Sequence, residues 1–200
     1  MELLGIEVFA QNTYYDDKVS QFEVLKNEKH INIIMLGDSI TDRGLWSELT
    51  NRNDLINRGI NGDNTLGLLN RLEVLNTNAK QIFIMIGVND LGRGESVDYV
   101  YLNYIKILNK IKSNNQTPIV QSILYVGNNF QKKLNPKVEI INTKLEKYCK
   151  NSNIKYINLN RFLAPNGFLE SNYTNDGIHP NGLGYRVWSD NINQYFNSEN

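Results

Sequence analysis

The strongest constraint on this 200-residue chain is a set of short apolar runs spaced along it: Ile31–Leu36, Asp54–Asn57, Gln81–Ile86, Pro118–Leu124 and Ile154–Leu159. The first, third and fourth are nearly continuous in apolar or β-branched residues, the pattern of parallel strands covered on both faces. The second is shorter and more polar. Between the runs, apolar residues recur at helical spacing. Val97, Val100, Tyr101, Tyr104, Leu108 and Ile111 form one stripe behind a candidate N-cap, Ser96. Val138, Ile141, Leu145 and Tyr148 form a second with Pro136 near its start, and Tyr185, Trp188, Ile192, Tyr195 and Phe196 a third. Strand–helix alternation predicts an α/β chain with a parallel sheet and right-handed crossovers. No repeat, low-complexity tract or Pro/Gly/Ser linker divides it. Residues 1–200 therefore read as a single domain, with 1–25 as an irregular or helical lead-in packed on the body.

Composition narrows the function. With 40% hydrophobic and 21% charged residues the chain is globular in composition, and one of its size buries roughly 70% of its unfolded surface. Lys+Arg and Asp+Glu are equal at 21 each, so the basic footprint of a nucleic-acid binder is missing. A single cysteine, Cys149, excludes an internal disulfide framework and a multi-cysteine zinc site, and two histidines, His30 and His179, exclude a His-rich metal centre. The start of the sequence lacks a basic n-region and a long apolar h-region, and no stretch approaches ~18 consecutive apolar residues. These features predict a cytoplasmic protein without a membrane span.

In an open parallel sheet, ligands bind beyond the carboxyl ends of the strands. Short polar, glycine-bearing segments follow the first three runs: Gly37-Asp38-Ser39-Ile40-Thr41, then Arg58-Gly59-Ile60-Asn61-Gly62-Asp63-Asn64, then Gly87-Val88-Asn89-Asp90. A fourth, Asn175-Asp176-Gly177-Ile178-His179-Pro180-Asn181, precedes the last helix. Each has an ordinary reading. Gly-Asp-Ser is a turn and N-cap tripeptide, Asn61-Gly62 a hairpin turn, Asn89-Asp90 a helix cap, and His179 a surface-loop histidine.

Together they supply what acyl transfer needs: a nucleophile, a base, a group that orients the base, and oxyanion donors. Ser39 at a strand-to-helix turn exposes a hydroxyl and places its own N–H near a helix N-terminus. His179 follows the sheet edge, whereas His30 precedes a strand and belongs at the opposite end. Asp176, three residues upstream, can fix the imidazole tautomer. Gly62 offers an unobstructed N–H and Asn89 a side-chain amide, and losing one such donor typically costs ~2.7–4 kcal/mol of transition-state stabilisation. Asp38 and Asp63 read as structural residues that hold the loops.

At these residues the sequence resembles the SGNH hydrolase family, also called GDSL esterases and lipases. Its four signature residues match Ser39 in GDSIT, Gly62 in RGINGDN, Asn89 in GVND and His179 in DGIHP, in family order across positions 37–180. The resemblance implies a flavodoxin-like three-layer α/β/α sandwich on a five-stranded parallel sheet. It implies a triad of Ser39, Asp176 and His179, an oxyanion hole from the Ser39 and Gly62 N–H groups and the Asn89 side chain, and no metal or cofactor. The segments NRGINGDNTLGLLNRL and IFIMIGVND look most like the platelet-activating-factor acetylhydrolase α-subunit-like and carbohydrate O-acetylesterase members, which also implies a homodimer as one arrangement. Ile40 stands where the family nickname has Leu, Val88 where Thr is common, and Pro180 where Leu or Thr often follows the histidine. The G-x-S-x-G elbow of α/β-hydrolases is absent.

The expected reaction is serine ester hydrolysis, with activity rising with pH as His179 loses its proton. The Asn-rich loops at 125–133 and 163–173, with Tyr, Phe and Arg161 interspersed, suit a sugar alcohol. The leading substrate is thus a short acetyl-type ester on a carbohydrate such as a sialic acid or polysaccharide unit. The alternatives are a lysophospholipase, an acyl-thioesterase, an acyltransferase, or a silent carbohydrate-binding module that kept the fold.

Overall fold

Every residue of β1 (Ile33–Gly37) is buried, as its unbroken apolar sequence requires for a strand covered on both faces. In the computed structural model, which describes residues 2–28, 30–75, 78–127 and 130–196, this strand pairs in parallel with β2 (Leu55–Gly59) on one side and β3 (Gln81–Met85) on the other. β4 (Thr117–Gln121) and β5 (Lys155–Ile157) extend the sheet, giving the order β2-β1-β3-β4-β5. That is the flavodoxin-like order. The short helices α2 (Ser39–Asp42) and α3 (Trp46–Thr50) follow β1, and α4 (Thr65–Asn70) follows β2. Then α5 (Val88–Gly92) and α6 (Val97–Ser113) follow β3, α7 (Gln131–Asn151) follows β4, and α8 (Asn160–Leu163) and α9 (Gly182–Ile192) follow β5. α4, α6 and α7 pack side by side on one face, and α3, α8 and α9 on the other, completing a three-layer sandwich.

The helical stripes lie where the spacing puts them. Ser96 caps α6, accepting the Tyr99 N–H at 3.1 Å, and Val100, Tyr104, Ile107, Leu108 and Ile111 are buried against the sheet. α9 inserts Tyr185 and Trp188 beside Trp46 of α3, with the two tryptophan rings edge to face at 4.7 Å. The Trp188 indole N–H, which burial would leave unsatisfied, donates to Gln121 at 2.7 Å. Pro136 falls in the second turn of α7, since that helix begins earlier, at Gln131.

Strand boundaries differ from the apolar runs for identifiable reasons. β2 continues through Arg58 and Gly59 although these look like loop residues, because it is an edge strand whose polar side chains have partners in flanking elements. β4 stops at Gln121 while burial continues to Leu124. Beyond it, side-chain amides replace the ladder. Asn142 accepts the Ile123 N–H and returns a donor to its carbonyl, both at 2.9 Å. Asn160 accepts from Tyr125, and Asn135 pairs with both groups of Val126. Three asparagines thereby satisfy a buried, non-strand segment.

The lead-in is the helix α1 (Glu2–Val24). Tyr15 donates to the Gly67 carbonyl at 2.7 Å, Tyr14 donates to Asp42 at 2.7 Å and Lys18 pairs with Asp42 at 3.0 Å. Phe22 lies over the Arg58 guanidinium at 4.5 Å. Beneath it, buried Arg71 bonds Asp63 at 2.8 Å and the Gly37 carbonyl at 3.0 Å, tying the end of β1 to the loop after β2. Removing one member of a buried pair leaves an uncompensated charge. Arg71→Met should therefore lower the unfolding free energy by about 3–5 kcal/mol, read from urea denaturation, with unchanged stability contradicting the role given to this pair.

Candidate active site

The first polar loop begins where β1 ends. Asp38 is extended and accepts the Ile40 N–H at 3.0 Å, capping α2, so that Ser39 is its first residue. The helix itself makes no use of a first-turn N–H such as that of Ser39. α2 is pinned from two sides. Tyr185 donates to the Ile40 carbonyl at 2.7 Å. The Asn57 amide lies within reach of the Thr41, Asp42 and Gly44 carbonyls at 3.0, 2.9 and 3.1 Å, while its oxygen accepts the Gly59 N–H at 2.8 Å. One β2 side chain thus joins the Ser39 helix to the start of the second loop.

His179 reaches Ser39 from the other end of the sequence. Its Nε2 is 2.9 Å from Ser39 Oγ and its Nδ1 is 2.6 Å from Asp176 Oδ2. An ionised carboxylate only accepts, so Nδ1 carries the proton, and Nε2 presents its lone pair to the Ser39 hydroxyl. The loop is built to hold this line. Asp176 Oδ1 accepts the Ile178 and His179 N–H groups at 2.9 and 2.8 Å. The Thr174 hydroxyl donates to the His179 carbonyl at 2.7 Å and accepts the Gly177 N–H at 2.9 Å. Gly127, after β4, donates to the Gly177 carbonyl at 2.7 Å. Partial burial opposes ionisation of Asp176. The backbone N–H and imidazole of His179 and the N–H of Ile178 overcome it and hold the carboxyl well below the usual carboxylate range.

The loops after β2 and β3 stand beside Ser39 because their strands flank β1. Asn61-Gly62 does form a turn, closed by Asp63 N–H to the Ile60 carbonyl at 3.1 Å, but the chain runs on into α4 and makes no hairpin. Gly62 has φ +74° and Asn61 is not among the positive-φ residues, so the turn needs its glycine at the third position. Asn89 donates one amide hydrogen to the Asp63 carbonyl at 2.8 Å, leaving the other available. Asp63 and Asp90 work inside the loops: Asp63 pairs with Arg71, and Asp90 accepts from the Thr65 hydroxyl and N–H at 2.6 and 3.0 Å. His30 sits before β1, at the opposite end of the sheet. Asn57 and Arg71 lie inside the segment NRGINGDNTLGLLNRL that carries the resemblance, yet nothing in it marks their bonds to the Ser39 helix, to Gly37 and to Asp63, and Thr174 lies outside every motif. Among the described residues no three His, Cys, Asp or Glu side chains gather as a metal site, and no helix is long and apolar enough to cross a membrane.

Asp38 differs from Asp176 in environment and in charge. Full burial pushes its carboxyl up to about 7, against the pull of the Ile40 N–H and with further repulsion from Asp63 and Asp90. The folded protein thus keeps the Asp38 proton over a range in which the unfolded chain, titrating near 3.9, releases it. Stability contributed by the neutral form is full below that lower value and is lost as pH rises to about 7. The melting temperature of Asp38→Asn relative to wild type should therefore rise between pH 4 and 7; a constant difference would contradict a neutral, buried Asp38.

Residues 35–187 match the GDSL-like Lipase/Acylhydrolase family. An N-acylneuraminate cytidylyltransferase of Streptococcus agalactiae serotype III is 32% identical over 149 residues, which is 73% of this chain and 34% of that protein. The chain spans about a third of the length of the curated relatives it matches. Among solved structures, one from Streptococcus pneumonia, provisionally named a platelet activating factor, superposes with a TM-score of 0.89 at 23% identity, covering 97% of this chain and 98% of that one. An acetyl xylan esterase superposes with a TM-score of 0.71 at 22% identity, covering 84% and 100%. At those identities the structural likeness speaks for the fold, and the family match for kinship: the chain belongs to the GDSL-like lipase/acylhydrolase family.

Proposed function

We propose that this protein is a serine esterase that removes short, acetyl-type acyl groups from a carbohydrate, such as a sialic acid or polysaccharide unit. The observation that carries the reading is the unbroken hydrogen-bonded line from Asp176 through His179 to Ser39, at 2.6 and 2.9 Å. Ser39 Oγ attacks the ester carbonyl as His179 Nε2 takes its proton, and ionised Asp176 stabilises the imidazolium that forms. The negative charge that develops on the carbonyl oxygen is met by the N–H groups of Ser39 and Gly62 and the unused amide hydrogen of Asn89. His179 returns the proton to the leaving alcohol. Water then releases the acyl group by the same steps.

Support for a sugar alcohol comes from the polar side chains around the Gly62 turn, from the acetyl xylan esterase likeness, and from relatives named for an N-acylated sugar acid. A lysophospholipase or long-chain thioesterase would need an apolar groove to gain the roughly 0.8 kcal/mol per methylene that burial provides.

Two measurements test the proposal. Ser39→Ala should lower kcat for p-nitrophenyl acetate by about 10⁴-fold or more while leaving the circular dichroism melt close to wild type; equal rates would remove Ser39 from the chemistry. Across p-nitrophenyl esters from acetyl to decanoyl, kcat/KM should be greatest at acetyl. A maximum at eight carbons or beyond would refute the acetyl specificity.

A further inference from the structure

The Gly62 turn borders a cavity of about 390 Å³, lined by Tyr15, Asn61, Asn64, Leu66, Asn70 and Arg93 together with Asp63 and the two glycines, Gly62 and Gly67. Its size is that of a small-ligand site. Arg93, at the end of α5, is exposed and donates from Nη2 to the Gly62 carbonyl at 2.7 Å. The same nitrogen is 3.8 Å from where a Cβ on Gly62 would lie, so the guanidinium rests against the turn itself. This single bond uses one of five guanidinium N–H donors. The acidic groups near it take their hydrogen bonds elsewhere, Asp63 from Arg71 and Asp90 from Thr65, while the Arg93 charge acts on Asp90 through space. Among the described residues Arg93 is the cation on the cavity wall, within electrostatic reach of Asp90 and beside three asparagine amides, the Tyr15 phenol, Leu66 and Asp63.

We infer that Arg93 is a specificity-determining residue that binds a carboxylate on the substrate, so that the preferred ester is carried by an acidic sugar. The inference rests on the ester-hydrolase reading above and names the substrate class for the same site. Anchored through Nη2 to the Gly62 carbonyl on the cavity wall, the guanidinium retains further N–H donors, and its planar fork can take a carboxylate with two parallel hydrogen bonds. The anchor matters because it fixes a long, exposed side chain next to the turn that stabilises the oxyanion. A carboxylate bound there would hold the acyl-bearing end of the sugar against Ser39.

The test compares acetate release from O-acetyl-N-acetylneuraminic acid and from its C1 carboxamide, a neutral analogue of the same shape. Wild type should favour the acid by tenfold or more in kcat/KM at low ionic strength, chiefly through KM. In Arg93→Gln the ratio should fall close to one, and Arg93→Lys should keep part of it. Any loss of Gly62 positioning slows both substrates alike and leaves the ratio untouched. A ratio near one in wild type, or one that survives in Arg93→Gln, overturns the inference while p-nitrophenyl acetate turnover still supports the esterase. Calorimetric titration of Ser39→Ala with N-acetylneuraminate and its C1 carboxamide reads the same contact without turnover. Tighter binding of the acid supports the carboxylate site even if no ester is cleaved, and equal or absent binding of both overturns it.

Discussion

The arrangement depends on one close approach of backbone to backbone. The Ser39 helix sits directly on the end of β2: a Cβ at Gly59 would lie 2.2 Å from the Asp42 nitrogen and 2.6 Å from its Cα. No side chain fits between them, and no flexible group could yield. Gly59 pairs with Gly37 in the register of the sheet, and Gly37 pairs with Met85, so β1, β2 and β3 end at one level. The three loops therefore start side by side, and Asn57 and Arg71 fasten the first to the second from either side of the sheet edge.

The electrostatic design separates two kinds of carboxylate. Asp38, Asp63 and Asp90 are buried within the loops, where each accepts backbone or side-chain hydrogen bonds and shapes the turns. Asp176 is half exposed and surrounded by donors, so it stays ionised beside His179. The residue types are the same and the roles are opposite, because desolvation dominates in one place and hydrogen bonding in the other.

Legibility in the sequence followed burial. β1 and β3 are covered on both faces, and their continuous apolar runs mark them nearly residue by residue. β2, an edge strand with bound polar side chains, was legible only in part, and the run after β4 overstates the strand because asparagines on α7 and α8 take over its backbone bonding. Ser39, Asp176 and His179 could be singled out from motif order, and the structure places them in contact. Arg93 and Thr174 could not be, since their importance lies in partners 31 and 5 residues away that no local pattern encodes. The 125–133 loop is only partly described, Asn128 and Asn129 lying outside the described residues.

The central claim, that the Asp176–His179 line makes Ser39 the reactive nucleophile, is tested most directly by covalent capture. The protein would be treated with an activated alkyl phosphonate ester and the adduct located by peptide mass spectrometry. One phosphonyl group on Ser39, forming in step with loss of esterase activity and not forming in His179→Ala, is the predicted result. Labelling at another residue, or full ester turnover by protein stoichiometrically modified at Ser39, would contradict the account.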